Sequence, residues 1–216
     1  MKKLAIFTMV FCCGILVYFT LPKTVSIRLD AITAYMSLEE MVTKNDLIAE
    51  VCVDTLKDSE WNVDANGVQI NQIHTDAIVR PLEVYSDYTD GIQTLSEAEE
   101  FTVRTDVGQI GNIVQTSSSY PSLTENETAL LFLVEESDEN GTYYTILGNM
   151  QGKFTKQEID GQLCYTNGRD HLPVDNLEET IRQISEDNTD MEWASDHYSA
   201  EEIQTMNDAL FESGAE

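Results

Sequence analysis

Residues Leu4 to Leu21 read LAIFTMVFCCGILVYFTL without one charged side chain, directly after Lys2-Lys3 and directly before Pro22-Lys23. Eighteen residues at helical rise span roughly 27 Å, close to the ~30 Å hydrocarbon core of a bilayer. The run exceeds the ~7–15 apolar residues of most cleaved leaders, and the lysines before it favour a cytoplasmic N-terminus. The sequence therefore predicts a short inside tail, one membrane span, and a chain lying outside from about residue 24. Cleavage and secretion are the alternative, because Thr24 and Ser26 place small residues at −3 and −1 before Ile27. Lipidation of Cys12 or Cys13 fits poorly, since both lie mid-run behind Met9 and Phe11.

Charge sets the next constraint. Lys2, Lys3 and Lys23 belong to the leading segment, which leaves 9 of the 12 basic residues against all 39 acidic ones. The exported part thus carries −30, a field that repels nucleic acid and anionic headgroups. Such acidity suits a solvated exterior surface, and it also attracts cations or a basic partner. An apolar content of 42% is ample for a core. Cys52 and Cys164 are the cysteines beyond the leading segment. An oxidising exterior permits a bridge between them, worth about 4–5 kcal/mol for so long a loop, and two unpaired thiols fit equally well.

Along the exported chain, Ser37-Leu38-Glu39-Glu40 opens a helix with a capping-box arrangement. Asp46 to Val53 follows as a strand, first continuous and then alternating. Lys57 to Gln72 is a polar connection holding the Asn66-Gly67 turn signal. Ile73 to Tyr85 is a second strand, in which Pro81 marks an edge or a bulge. Phe101 to Thr105 alternates as a half-buried strand, and Ile113-Val114 extends its pairing beyond a glycine-rich turn. Ala129 to Val134 is the most apolar run outside the leading segment and the expected central strand. Glu135 to Gly141 is a turn, Thr142 to Leu147 pairs back as a hairpin, and Gln151 to Phe154 closes the sheet.

From Asp170 onward fourteen acidic residues face one basic residue, Arg182. Two helical patterns remain there, Val174 to Ser185 and Ser199 to Phe211, both expected to be tethered or loosely docked. The organisation expected is residues 1–26 as signal or anchor, 27–168 as a helix plus β domain, and 169–216 as an acidic helical extension. Five short strands separated by turns suggest a closed antiparallel barrel, because closure removes exposed edges.

The order of these elements resembles a group of uncharacterised exported proteins of Gram-positive bacteria. The likeness is carried by Ser37 to Val42, by Asp46 to Val51, by Pro121-x-Leu123 running into Leu130-Leu131-Phe132-Leu133, and by Gln151-Gly152-Lys153-Phe154. It covers about residues 37 to 157. What it implies is a mainly β domain with flanking helices, a small five-stranded barrel of oligonucleotide-binding (OB) or netrin-like type. Val107-Gly108-Gln109-Ile110-Gly111 stands where that group has paired glycines.

Catalytic signals are weak. His74, His171 and His197 are isolated in sequence, without a Cys, Asp or His partner at metal-ligand spacing. Ser117-Ser118-Ser119 lacks an elbow or a paired base, and Cys52 sits in an expected core strand. The hairpin Glu135, Glu136, Asp138 and Asn140 gathers oxygen ligands suited to calcium, and the stretch Asp58 to Asp64 is of the same kind. Neither follows the full calcium-loop pattern. Tyr85, Tyr88, Tyr143 and Tyr144 are aromatics able to stack on a ligand, but without a basic groove. The sequence accordingly predicts a membrane-tethered, extracytoplasmic, non-enzymatic domain acting through protein–protein contact at the cell surface. Ile203, Met206, Leu210 and Phe211 fall on one face of the second acidic helix and form the expected partner contact. A divalent-cation-dependent module for cell-wall polymer is the alternative, and a secreted hydrolase a third.

Overall fold

A computed structural model of the chain describes residues 23–29, 35–63, 68–87, 100–138, 140–189, 191 and 193. The apolar run Leu4–Leu21 and the helix expected to carry Ile203, Met206, Leu210 and Phe211 lie outside the described residues. Among the described residues no helix is long and apolar enough to cross a membrane.

The architecture is mainly β with flanking helices. Strands in chain order are β1 (Val25–Leu29), β2 (Leu47–Leu56), β3 (Glu60–Val63), β4 (Gln69–Asp87), β5 (Phe101–Thr105) and β6 (Gly108–Ile110). They continue as β7 (Ile113–Ser117), β8 (Thr128–Asp138), β9 (Gly141–Ile146), β10 (Lys153–Ile159), β11 (Gln162–Thr166) and β12 (His171–Pro173). Helix α1 is Leu38–Lys44 and α2 is Leu177–Asp187. β2 pairs with β4, β4 with β5, and β5 with β9 in parallel. β9 then pairs with β8, and β8 with β2, so the pairings return to the strand where they started. Each of these five strands overlaps a run read as strand in the sequence. β10, β11 and β12 continue outward from β8, and β3 adds to one end of β4.

Two apolar layers explain the sequence pattern. Leu47, Ala49, Val51 and Val53 of β2 pack with Leu131, Leu133, Val79, Val103 and Ile146 in one cluster. Ile48, Leu130, Phe132 and Phe154 point the other way and pack beneath Met41 and Val42 of α1 and Leu177 and Ile181 of α2. A strand covered on both faces needs a continuous apolar run rather than an alternating one, which is why β8 reads Ala129 to Val134 without a break.

Local chemistry sets the element ends. Ser37 Oγ accepts the Glu40 N–H at 3.2 Å and starts α1. Asn45 ends it by donating from Nδ2 to the carbonyls of Met41 and Val42, at 3.1 and 2.7 Å. Pro81 sits at a shift in the β2–β4 register, and the β5 pairing stops short of it at Val79. Its missing N–H is therefore tolerated where the sequence placed an edge or bulge.

Five expectations are corrected. The acidic helix at 174–185 is not loosely docked, because Leu177 and Ile181 are buried in the second cluster. Ile113-Val114 does not extend β5; β7 joins β6 and a parallel β1 in a separate three-stranded sheet. The polar connection 57–72 holds β3 and the start of β4, paired antiparallel with Glu60 opposite His74. The turn expected from Glu135 is strand as far as Asp138. Gln151-Gly152 is a 3-10 turn, and β10 pairs with β8 only at Lys153 and Phe154 before joining β11. Cys52 and Cys164 are both free thiols. They sit on β2 and β11, three strand spacings apart in the sheet order, roughly 14 Å and beyond disulfide reach.

Candidate functional site

The three-stranded sheet is pressed close against the strands that build one wall of a cleft. A Cβ on Gly108 would lie 2.4 Å from both Ser59 Oγ and Thr75 Oγ1, so only glycine fits there. Gln115, almost fully buried, extends the pairing of β4 with its side chain. It accepts the Ile73 N–H at 2.8 Å and donates to the Ile73 and Asp106 carbonyls at 2.7 and 2.9 Å. That last bond fixes the turn after β5 and places Asp106 at the rim of the cleft.

The cleft encloses about 600 Å³ between β3, the start of β4, the end of β5 and the β8–β9 hairpin. Glu60, Trp61 and Asn62 come from β3, His74 from β4, and Arg104 from β5. Glu136, Asp138, Asn140 and Tyr143 come from the hairpin, with Asp106 and Tyr120 from the connections. Glu60 of one acidic stretch and Glu136 and Asp138 of the other, more than seventy residues apart, thus line one cavity.

Arg104 organises the floor. Its Nε and Nη2 reach the Asp76 carboxylate at 2.7 and 3.1 Å, and Nη1 reaches Asp138 at 2.8 Å. The guanidinium lies 3.8 Å over the Tyr143 ring. Burial opposes its charge, but the bonds to Asp76 and Asp138 prevail and raise its pKa. Asp138 is held below the usual carboxylate range by the Arg104 bond and by the Asn140 N–H.

His74 lies deeper. Its Nδ1 bonds Asn62 Oδ1, and Asn62 Nδ2 donates onward to Asp106 at 3.4 Å. Burial lowers the His74 pKa and Arg104 adds to that, against Asp76, Glu60 and Asp106. The imidazole is therefore neutral at pH 7. Tyr143 and Tyr120 are pushed up by burial first, then by Glu136 and Asp106 respectively, so both phenols remain donors.

The hairpin set expected for calcium is split. Glu136, Asp138 and Asn140 line the cleft, whereas Glu135 alternates to the other face and accepts the Tyr144 hydroxyl at 3.0 Å. Among the described residues no three His, Cys, Asp or Glu side chains gather to hold a metal ion. His171 is exposed on β12, and Tyr85 packs against the helix layer; neither lines the cleft. His197 and Tyr88 lie outside the described residues. Arg104, Asp106, Tyr120 and Asn149 went unnoticed in the sequence. The rarity of basic residues was the one signal that pointed to Arg104, a cation on an alternating strand in a chain of this acidity. No family model, no curated protein and no solved structure matches this chain.

Proposed function

We propose that this protein is a membrane-tethered, extracytoplasmic domain that acts through protein–protein contact at the cell surface rather than by catalysis. The scaffold is a small OB-like barrel of the kind expected in exported Gram-positive proteins. Support for the barrel comes from the ring of pairings β2-β4-β5-β9-β8-β2, with β5 and β9 parallel and an apolar cluster inside. Barrels of that type bind on their second and third strands and on the loops after the first and fourth. The cleft is lined from comparable places, by Ile70 and His74 of β4, Arg104 and Thr105 of β5, residues 60–63 after β2, and Asn140 between β8 and β9. Fold analogy alone confers no activity. What carries the proposal is the convergence on that cavity of aromatics and carboxylates from β3, the β8–β9 hairpin and the connections after β5 and β7.

Binding rather than turnover suits a cleft whose imidazole is tied to Asn62 and whose guanidinium is tied to two aspartates. Its acidity turns away nucleic acid. Retention of the leading segment as a tether is supported by β1, since Val25 and Ser26 pair with Ile113 and Val114. A cut before Ile27 would strip both.

The test is photo-cross-linking on intact cells, with a photoreactive residue replacing Tyr143 in the cleft or the exposed Leu163 on β11. A discrete adduct with a second protein from position 143 and none from 163 is expected. Equal adducts from both positions, or none from 143, would overturn the proposal.

A further inference from the structure

Resting on that reading of the cleft, we infer that its ligand is a cationic side chain, an arginine or lysine presented by an extended basic segment of the partner. Four carboxylates line the cavity, Glu60, Asp106, Glu136 and Asp138, against one arginine. Arg104 answers Asp138 and, behind it, Asp76. Glu60, Asp106 and Glu136 have no Lys or Arg partner among the described residues. Tyr143 and Thr145 hydroxyls orient Glu136 at 3.3 and 3.1 Å, and Asn62 orients Asp106, without neutralising either charge. The cleft therefore keeps an excess of negative charge, which favours a cation entering it.

The aromatic walls point the same way. Trp61, Tyr120 and Tyr143 offer ring surface beside the carboxylates, an arrangement that favours a cation with an apolar stem. One guanidinium, that of Arg104, already lies against Tyr143. A neutral glycan could also use rings and side-chain amides. It would, however, desolvate three carboxylates without compensating their charge, which is costly. The acidic field of the whole chain steers a basic segment toward the cleft and repels an acidic one.

The experiment uses the full chain in non-ionic detergent and a fluorescent Gly-Arg-Gly-Arg-Gly peptide, read by anisotropy. Controls are the same peptide with citrulline for arginine, and tetra-N-acetylchitotetraose. Citrulline keeps the shape and removes the charge. The arginine peptide should bind, the citrulline peptide should bind about tenfold or more weakly, and salt should weaken the difference. Glu60→Gln combined with Glu136→Gln should abolish the preference, whereas Glu158→Gln, on β10 away from the cleft, should leave it unchanged. Equal loss from Glu158→Gln would assign binding to the general acidic field and overturn the inference. So would equal affinity for the citrulline peptide, or binding of the glycan alone. If position 143 still cross-links to a protein while arginine and citrulline peptides bind alike, the cation assignment fails and the protein-contact reading stands.

Discussion

Arg104 is the side chain whose removal should be felt most widely. It neutralises Asp76 and Asp138, stacks on Tyr143, and its side chain is only 15% exposed, as is that of Asp76. Arg104→Met keeps the stem but leaves two carboxylates facing each other, which should cost about 3 kcal/mol in urea unfolding. A loss below ~1 kcal/mol would mean that the cluster behaves as an exposed surface pair. His74 makes a prediction of the opposite pH sense to a salt-bridged histidine. Folded, it resists protonation because of burial and Arg104; unfolded, it takes a proton near 6.5. Below that pH the unfolded chain binds the extra proton, so the His74 contribution is complete above 6.5 and declines as pH falls. His74→Asn places an amide nitrogen where Nδ1 lies and does not titrate. Its stability should therefore fall less than that of the parent between pH 7 and 5.5, by equilibrium urea unfolding at each pH. These two residues also show how sequence reading divides. His74 was visible as a residue but not as a partner of Asn62, because the bond depends on the β3–β4 register. Arg104 was hidden among alternating residues because its three partners come from β4 and from both strands of the hairpin.

Among the elements, β2 and β8 were legible because burial on both faces leaves a continuous apolar signature. α1 was legible from its cap. β1 and β7 were not, since a parallel pair between residues 25–29 and 113–117 leaves no local pattern to recognise. α2 was legible as a helix but not as core, because its acidic outer face dominates its composition while Leu177, Ile181 and the partly buried Ile184 carry the packing. Its place in the core gives a contrast. Ile181→Ala should cost about 2–4 kcal/mol, as expected for a large-to-small change in a packed core. Deleting residues 199–216 should leave the melting temperature of the β domain nearly unchanged. A large fall on that deletion would show that residues 199–216 are part of the fold rather than an extension from it.

For the whole molecule, the sequence made plain an acidic, mainly β chain and left the cleft invisible. The cleft's residues are scattered between Glu60 and Asn149, and only the pairing of β3, β5 and the hairpin assembles them. Acidity by itself suggested calcium. The geometry gives Asp138 to Arg104 and turns Glu135 away, so millimolar calcium followed by chelator should leave the melting midpoint of the full chain unchanged. A rise reversed by chelator would restore the divalent-cation alternative. On the proposed reading, this cavity is the face the protein presents to its partner. Hydrogen–deuterium exchange of the full chain in lipid nanodiscs, with and without saturating arginine peptide, tests that most directly. Protection confined to residues 60–63, 104–106 and 136–146 is the result predicted here. Protection over residues 153–187 instead, with the cleft unchanged, would contradict it.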